Sequence, residues 1–364
     1  MITMHTFEKE WFEEKKKDMG NIDRNLFDKV IHAFYLLEKL AETKMEFVFK
    51  GGTCLLLLLQ DIKRFSIDID IILENSYSEE KLEKVLEKIV AESLFIRYEK
   101  QSRNAKSKIK KAHYKFYYMT DYDDLEKYIL LDVIFEKNPY SEIDKKEIKC
   151  PFLNVQSPAN MVNVPSIENI LGDKLTAFAP NTTGIPYHSD KDMEIIKQLF
   201  DVDILFDEAT NLEDVKATFI KCATQELEYR NMEELNVADV LKDTFQTALV
   251  IGARGSKNNA KFKSIENGVT RIKHHIIGRN YLIEDAVVSA SKAAYLTVLI
   301  FLGETEAEHY DKSIVLPEPK RRQLFKRMNK VITFRPEAYF YFSKAQELLE
   351  QQEELWESWC RDET

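Results

Sequence analysis

Glycine and proline are scarce in this chain, at 10 and 9 of 364 residues. That excludes a collagen-like or linker-rich protein and favours helices. The four cysteines, Cys54, Cys150, Cys222 and Cys360, lie far apart and form no C-x-x-C pair. They supply neither a zinc cage nor a disulfide framework. Long hydrophobic runs are missing too: the most apolar stretch, residues 286–302, contains Ser289, Ser291 and Lys292 and falls short of the roughly 20 residues that span a bilayer. It reads as a buried helix. The first eleven residues carry charge and no apolar core of signal-peptide length, so a reducing, cytoplasmic protein without a membrane partner is expected. A basic excess is also absent. With 52 Lys+Arg against 62 Asp+Glu the formal charge is −10, whereas duplex-binding domains are usually basic overall.

What the chain does have is an ordinary globular composition, 44% hydrophobic and 31% charged. At roughly 150 residues per domain its length suggests two domains. Residues 23–43 place Phe27, Val30, Ile31, Phe34, Leu37 and Leu40 at helical spacing behind Asp23, a natural N-cap. A short strand at residues 46–50 is stopped by Gly51-Gly52, and the apolar run 53–59 then reads as a buried helix. Period-two alternation over residues 66–73 predicts a strand with Ile67, Ile69 and Ile71 on one face and Ser66, Asp68 and Asp70 on the other. A charged amphipathic helix at 79–93 and strands near 108–119 and 127–135 complete an α+β pattern. Beyond Pro151 strand signals fade into long helical patterns. The expected domains are therefore 1–150, a mixed sheet with flanking helices, and 151–364, mostly helical.

The chemistry concentrates in Lys50-Gly-Gly-Thr53 and Arg64-Phe-Ser66-Ile-Asp68-Ile-Asp70. Two carboxylates at i and i+2 of a strand share one face and repel unless a cation neutralises them. Magnesium, which combines carboxylates with substrate phosphates, is the usual remedy. A Gly-Gly-Thr turn lets backbone N–H groups and a helix N-terminus approach a phosphate. Asp132, alone among apolar residues in the run Tyr128-Ile-Leu-Leu-Asp132-Val-Ile-Phe135, is a third carboxylate that wants a cation. Beside the Asp68–Asp70 strand it would complete a set able to hold two ions about 3.5–4 Å apart for in-line phosphoryl displacement. His188-Ser189-Asp190 is no catalytic triad, because adjacent residues cannot converge in that geometry. His274-His275 reads as basic surface.

These residues closely resemble the first motif of the AbiEii/AbiGii nucleotidyltransferase-like toxins, members of the DNA polymerase β-type nucleotidyltransferase superfamily. The resemblance continues at Lys174-Leu-Thr-Ala177 and at Asp201, which closes a short helical segment. It implies a polymerase β-type fold whose nucleotide site is completed by the helical domain. It implies that Gly51, Gly52 and Thr53 cradle a nucleoside triphosphate, with Arg64 and Ser66 buttressing them. Asp68 and Asp70 would ligate magnesium, two ions in all, and Asp132 would join them and activate the acceptor hydroxyl. Lys174 would meet the phosphates or the leaving pyrophosphate, with Asp201 orienting it or the base. The implied activity is nucleotide transfer to RNA, above all the 3′ end of tRNA, blocking translation, with a cognate antitoxin encoded nearby. A small hydroxylated or protein acceptor, or a non-catalytic nucleotide- or RNA-binding module, are the alternatives.

The distribution of charge removes the objection that the total raised. Residues 100–120 carry seven bases and no acid, with Tyr114, Phe116, Tyr117 and Tyr118 interleaved. Residues 254–279 sum to +6 and residues 320–330 to +6, while the last twenty residues alone contribute −6. Basic residues mixed with rings suit an RNA strand.

Overall fold

The computed structural model describes residues 1–20, 22–102, 110–120, 122–255 and 260–360. Arg103, Lys106 and Lys108 of the first basic segment, Lys257 of the second and Arg361 of the tail lie outside the described residues. The chain divides into two compact units, Met1–Ser166 with His274–Asn280, and Ile167–Lys273 with Tyr281–Thr364.

The first unit holds α1 (Lys9–Met19), α2 (Arg24–Glu42), β1 (Val48–Lys50), α3 (Gly51–Leu58), β2 (Ile69–Leu73), α4 (Glu79–Ala91), β3 (Arg97–Lys100), β4 (Lys110–Met119), β5 (Glu126–Phe135), β6 (Ile143–Glu147) and β7 (Met161–Pro165). Among the described residues the strands form one seven-stranded sheet in the order β3-β4-β5-β2-β1-β7-β6. It is mixed: β2–β5 and β1–β7 run parallel, the other pairs antiparallel. The α+β class read from the sequence is the observed one. The expected boundary near Pro151 falls between β6 and β7, inside the first unit.

Asp23 caps α2 by accepting the Leu26 N–H at 2.9 Å, and the predicted apolar stripe Phe27, Val30, Ile31, Phe34, Leu37 and Leu40 is buried. Residues on one face of β4 meet α2 and α4. The Tyr118 hydroxyl donates to Asp28 Oδ2 at 2.8 Å, and the Tyr114 hydroxyl to Glu79 Oε1 at 3.4 Å. The His32 ring stacks on Tyr118 with centroids 3.7 Å apart. Tyr114, Phe116 and Tyr118 are therefore core side chains, buried by β4's alternation. Only Tyr117 of the four interleaved aromatics lies on the other face, so the ring-rich RNA surface expected there is corrected to one tyrosine.

Burial pushes Asp28 up from 3.8 to about 6, against the Tyr118 hydroxyl and Lys127, and drives His32 down from 6.5 to about 3. The two act oppositely on stability. Asp28 holds its proton more tightly in the native state, so its contribution is full below pH 3.8 and is lost as pH rises through about 6. His32, depressed, contributes above pH 6.5 and loses that contribution as pH falls toward 3. Asp28→Asn, which mimics the neutral acid, should stabilise the protein at pH 8 by roughly 2 kcal/mol and give no advantage at pH 4. Urea midpoints at the two pH values measure this, and an equal advantage at both contradicts the assignment.

The second unit contains α5 (Ile167–Ala177), α6 (Asp192–Glu208), α7 (Leu212–Tyr229), α8 (Val237–Gly252), α9 (Ala260–Ile272), α10 (Ile283–Leu302), α11 (Pro336–Glu350) and α12 (Glu353–Cys360). Helix α10 starts at Ile283, earlier than expected, because the Asp285 carboxylate accepts the Leu282 N–H at 2.8 Å. At 20 residues it is long and apolar enough to cross a membrane, which corrects the expectation that it falls short. Its most apolar window is nonetheless 83% buried within the protein, as expected of a core helix. Lys292 of α10 sits in that core, with Nζ 2.7 Å from both Asp203 and Asp207 of α6 and 3.3 Å from Glu337 of α11. Burial alone would lower its pKa, but the Asp203 and Asp207 carboxylates outweigh that and hold it well above the ordinary lysine value. Burial raises Asp207 in turn, despite Lys292 beside it.

Some bases in each of the three basic segments pair with acids of the chain itself. Lys320 meets Glu350 at 2.6 Å, and Arg322 meets Glu353 at 2.9 Å and Glu357 at 3.7 Å. The acidic tail thus lies partly against the third basic segment. Arg254 pairs with Glu284 at 3.0 Å, and Lys100 of the first segment pairs with Glu79 and Glu83 at 2.6 and 3.0 Å.

Candidate active site

The strand β1 ends at Lys50, and the next two residues turn the chain into α3. Gly51 takes φ +80°, a left-handed conformation that disfavours any side chain. A Cβ there would also collide with Asp70 Oδ2. One at Gly52 would lie 2.5 Å from Arg64 Nη2 and 2.7 Å from Ser66 Oγ. Both glycines are present because a carboxylate, a guanidinium and a hydroxyl close in on the backbone at the start of α3.

Thr53 is fully buried, and its hydroxyl donates to the Asp68 carbonyl at 2.6 Å while lying 3.1 Å from Ser66 Oγ. It therefore fastens the segment that delivers the acids. That segment is held elsewhere too: the Phe65 N–H donates to the His275 carbonyl at 2.7 Å, and the Ile277 N–H to the Lys63 carbonyl at 2.8 Å. Arg64 is 7% exposed and donates from Nη1 to the Phe65 carbonyl at 2.9 Å. These tethers explain why the strand expected from Ser66 begins only at Ile69. Asp68 stands one residue before β2, and Asp70 is its second residue.

Asp70 pairs in register with Lys50 of β1 on one side and with Asp132 of β5 on the other. In-register neighbours on adjacent strands lie about 4.8 Å apart and point to the same face. Asp70 and Asp132 thus share the face turned away from α2 and α4. The third acid, whose strand position the sequence left conditional, lies beside the second.

Asp132 has a partner that sequence reasoning missed. His113 pairs with it across β4 and β5, and His113 Nδ1 lies 2.6 Å from Asp132 Oδ1. Both side chains are partly buried, at 17% and 26% exposure. The available signal was parity: His113 falls between the buried Ala112 and Tyr114, hence on the opposite face. Among the described residues no three His, Cys, Asp or Glu side chains gather into a set able to hold a metal unaided. Asp132 Oδ1 is engaged by His113, and Asp68 lies outside the strand.

In the second unit, Lys174 of α5 and Asp201 of α6 form an ion pair with Nζ 2.9 Å from Oδ2. The side chains are 9% and 1% exposed, so the carboxylate fixes the ammonium in one place.

The family model described as "Nucleotidyl transferase AbiEii toxin, Type IV TA system" matches residues 35–264. The chain belongs to this family. The match covers well over half of the chain, from α2 into α9, and includes Gly51, Gly52, Thr53, Asp68, Asp70, Asp132, Lys174 and Asp201. Similar solved structures include JHP933 from Helicobacter pylori, 16% identical, covering 78% of this chain and 94% of that one with a TM-score of 0.42. An antigenic nucleotidyltransferase-like protein from Paracoccidioides brasiliensis is 12% identical, covering 59% and 95% with a TM-score of 0.36. No curated protein matches. As an AbiEii protein, the chain is a nucleotidyltransferase of the toxin class, and its family implies an antitoxin partner and a nucleoside triphosphate substrate.

Proposed function

We propose that this AbiEii protein transfers a nucleoside monophosphate from an NTP to RNA, at the 3′ end of tRNA, and so blocks translation in the cytoplasm. The observation that carries the reading is the in-register placement of Asp70 and Asp132 beside the glycine turn that opens α3.

The donor set suits magnesium that comes with the nucleotide, since that ion is commonly held by one or two carboxylates plus substrate phosphates. When bound, it supplies neutralisation of charge on the phosphates. The chain's own residues do the rest. Gly51 and Gly52 add no side chain of their own at the start of α3, where Arg64 and Ser66 close in on Gly52, and the α3 N-terminus favours an anion. Asp68 and Asp70 would be the carboxylates that hold the ion. Asp132 takes the proton of the attacking hydroxyl, whose oxygen then bonds to the α-phosphorus as the bond to pyrophosphate breaks. The motif resemblance assigns Lys174, which Asp201 holds in place within the second unit, to the phosphates or the leaving pyrophosphate.

Support for an RNA acceptor comes from the motif resemblance and from Lys115 and Tyr128, which lie on the same sheet face as Asp132 with Lys115 Nζ 4.2 Å over the Tyr128 ring. Labelled NTPs, magnesium and separate pools of total tRNA, total protein and aminoglycosides test the reading. Label should enter tRNA at its 3′ end and vanish with EDTA. Label entering protein or the aminoglycoside alone, or entering nothing, overturns it.

A further inference from the structure

We propose that His113 is a positioning residue that holds the Asp132 carboxylate in the orientation needed to deprotonate the acceptor. This rests on the nucleotidyl-transfer reading above and assigns a role to a residue outside the recognised motifs.

The geometry is specific. His113 and Asp132 are direct cross-strand partners, and Asp132 is the direct partner of Asp70, so one ladder row crosses three strands as His113, Asp132, Asp70. The Nδ1–Oδ1 contact of 2.6 Å is short, as charge-assisted hydrogen bonds are. A carboxylate oxygen only accepts, so the proton of this bond lies on His113 Nδ1, which fixes the imidazole tautomer. Neither Asp132 Oδ2 nor His113 Nε2 has another hydrogen-bond partner among the described residues. Oδ1 is therefore anchored and Oδ2 is the oxygen left for the substrate hydroxyl. An aspartate without that anchor turns about two side-chain torsions, and with Asp70 next to it repulsion favours turning away. A base displaced by even an ångström loses much of its value. A purely structural cross-strand pair would explain the contact without requiring the acid on its other side to be one that acts in the reaction.

The test uses the full-length protein and compares His113→Phe, which keeps a ring and removes the N–H, with His113→Asn, whose amide N–H can reach the place of Nδ1. His113→Phe should lower kcat for nucleotide transfer by about 30-fold or more while KM for the NTP changes less than threefold. His113→Asn should recover most of the loss. Equal kcat in wild type and His113→Phe, a rise in KM that accounts for the whole effect, or no rescue by His113→Asn each overturns the role. A second readout does not need activity: imidazole 15N–1H correlations of selectively labelled protein should show His113 protonated at Nδ1, with this preference lost in Asp132→Ala. An Nε2-protonated His113 in the wild type overturns the proposal whether or not transfer is seen, whereas absence of transfer by wild type with the Nδ1 tautomer intact counts against the nucleotidyl-transfer reading instead.

Discussion

Asp70→Asn is expected to reduce nucleotide transfer by about 10³-fold, the scale seen when one preorganised electrostatic group is removed from a transition state. Asparagine has nearly the same volume as aspartate, so it can stay beneath Gly51 where a larger group could not. The substitution removes only charge from the row shared with Asp132. Two consequences separate it from general damage. The far-UV CD spectrum should match the wild type, because Ile69 and Ile71 on the other face of β2 keep their burial. Excess magnesium should not restore the rate, because a carbonyl in place of a carboxylate oxygen removes the charge the cation is held by. Steady-state transfer with saturating NTP measures the effect, and a loss under tenfold contradicts the role of Asp70.

The second large effect is on stability. Lys292→Met should cost about 3–5 kcal/mol, because it removes the cation and leaves Asp203, Asp207 and Glu337 facing one another at the junction of α6, α10 and α11. Methionine fills the space of the lysine stem, so the loss reports charge rather than a cavity. The deficit should depend on pH with a definite sign. Burial already raises Asp207 against the pull of Lys292, and without Lys292 it rises further. An acid with a raised native pKa favours folding at low pH and loses that contribution as pH climbs through it. The gap between variant and wild type should therefore shrink on acidification from pH 7 toward the ordinary carboxylate range. Urea unfolding at pH 7 and pH 5 measures it, and a gap that widens at pH 5 contradicts the argument.

Elements with strong local signals were legible from sequence. The Asp23 cap and apolar stripe of α2, the Gly51-Gly52 break and the alternation of β5 all appear within a residue or two of their expected places. Local periodicity does not carry long-range pairing, however. The Asp68–Asp70 strand is shorter than its alternation suggested because its first residues are tied to Thr53 and His275, partners 13 or more positions away. The short polar strands β3 and β6 lack an apolar alternation to reveal them. Tyr114, Phe116 and Tyr118 look like a stacking surface beside lysines, yet the same period of two that exposes the lysines buries the rings. His113 carried no motif, and only the register of β4 against β5 shows what it meets. Lys292 marked a polar interruption in an apolar run, but its three acids come from two other helices.

The pairing of residues 63–65 with residues 275–277 bears on the order in which the protein can mature on a ribosome. All seven strands and the three acids are synthesised by Pro165, so the sheet can assemble early. The first unit is nevertheless incomplete until Asn280 has emerged, after the whole of α5–α9. A nascent or prematurely terminated chain would carry the acids without the tether on the Lys63–Phe65 segment that leads to Asp68, so a polypeptide cut at Ser166 contains the sheet but not the finished loop before β2.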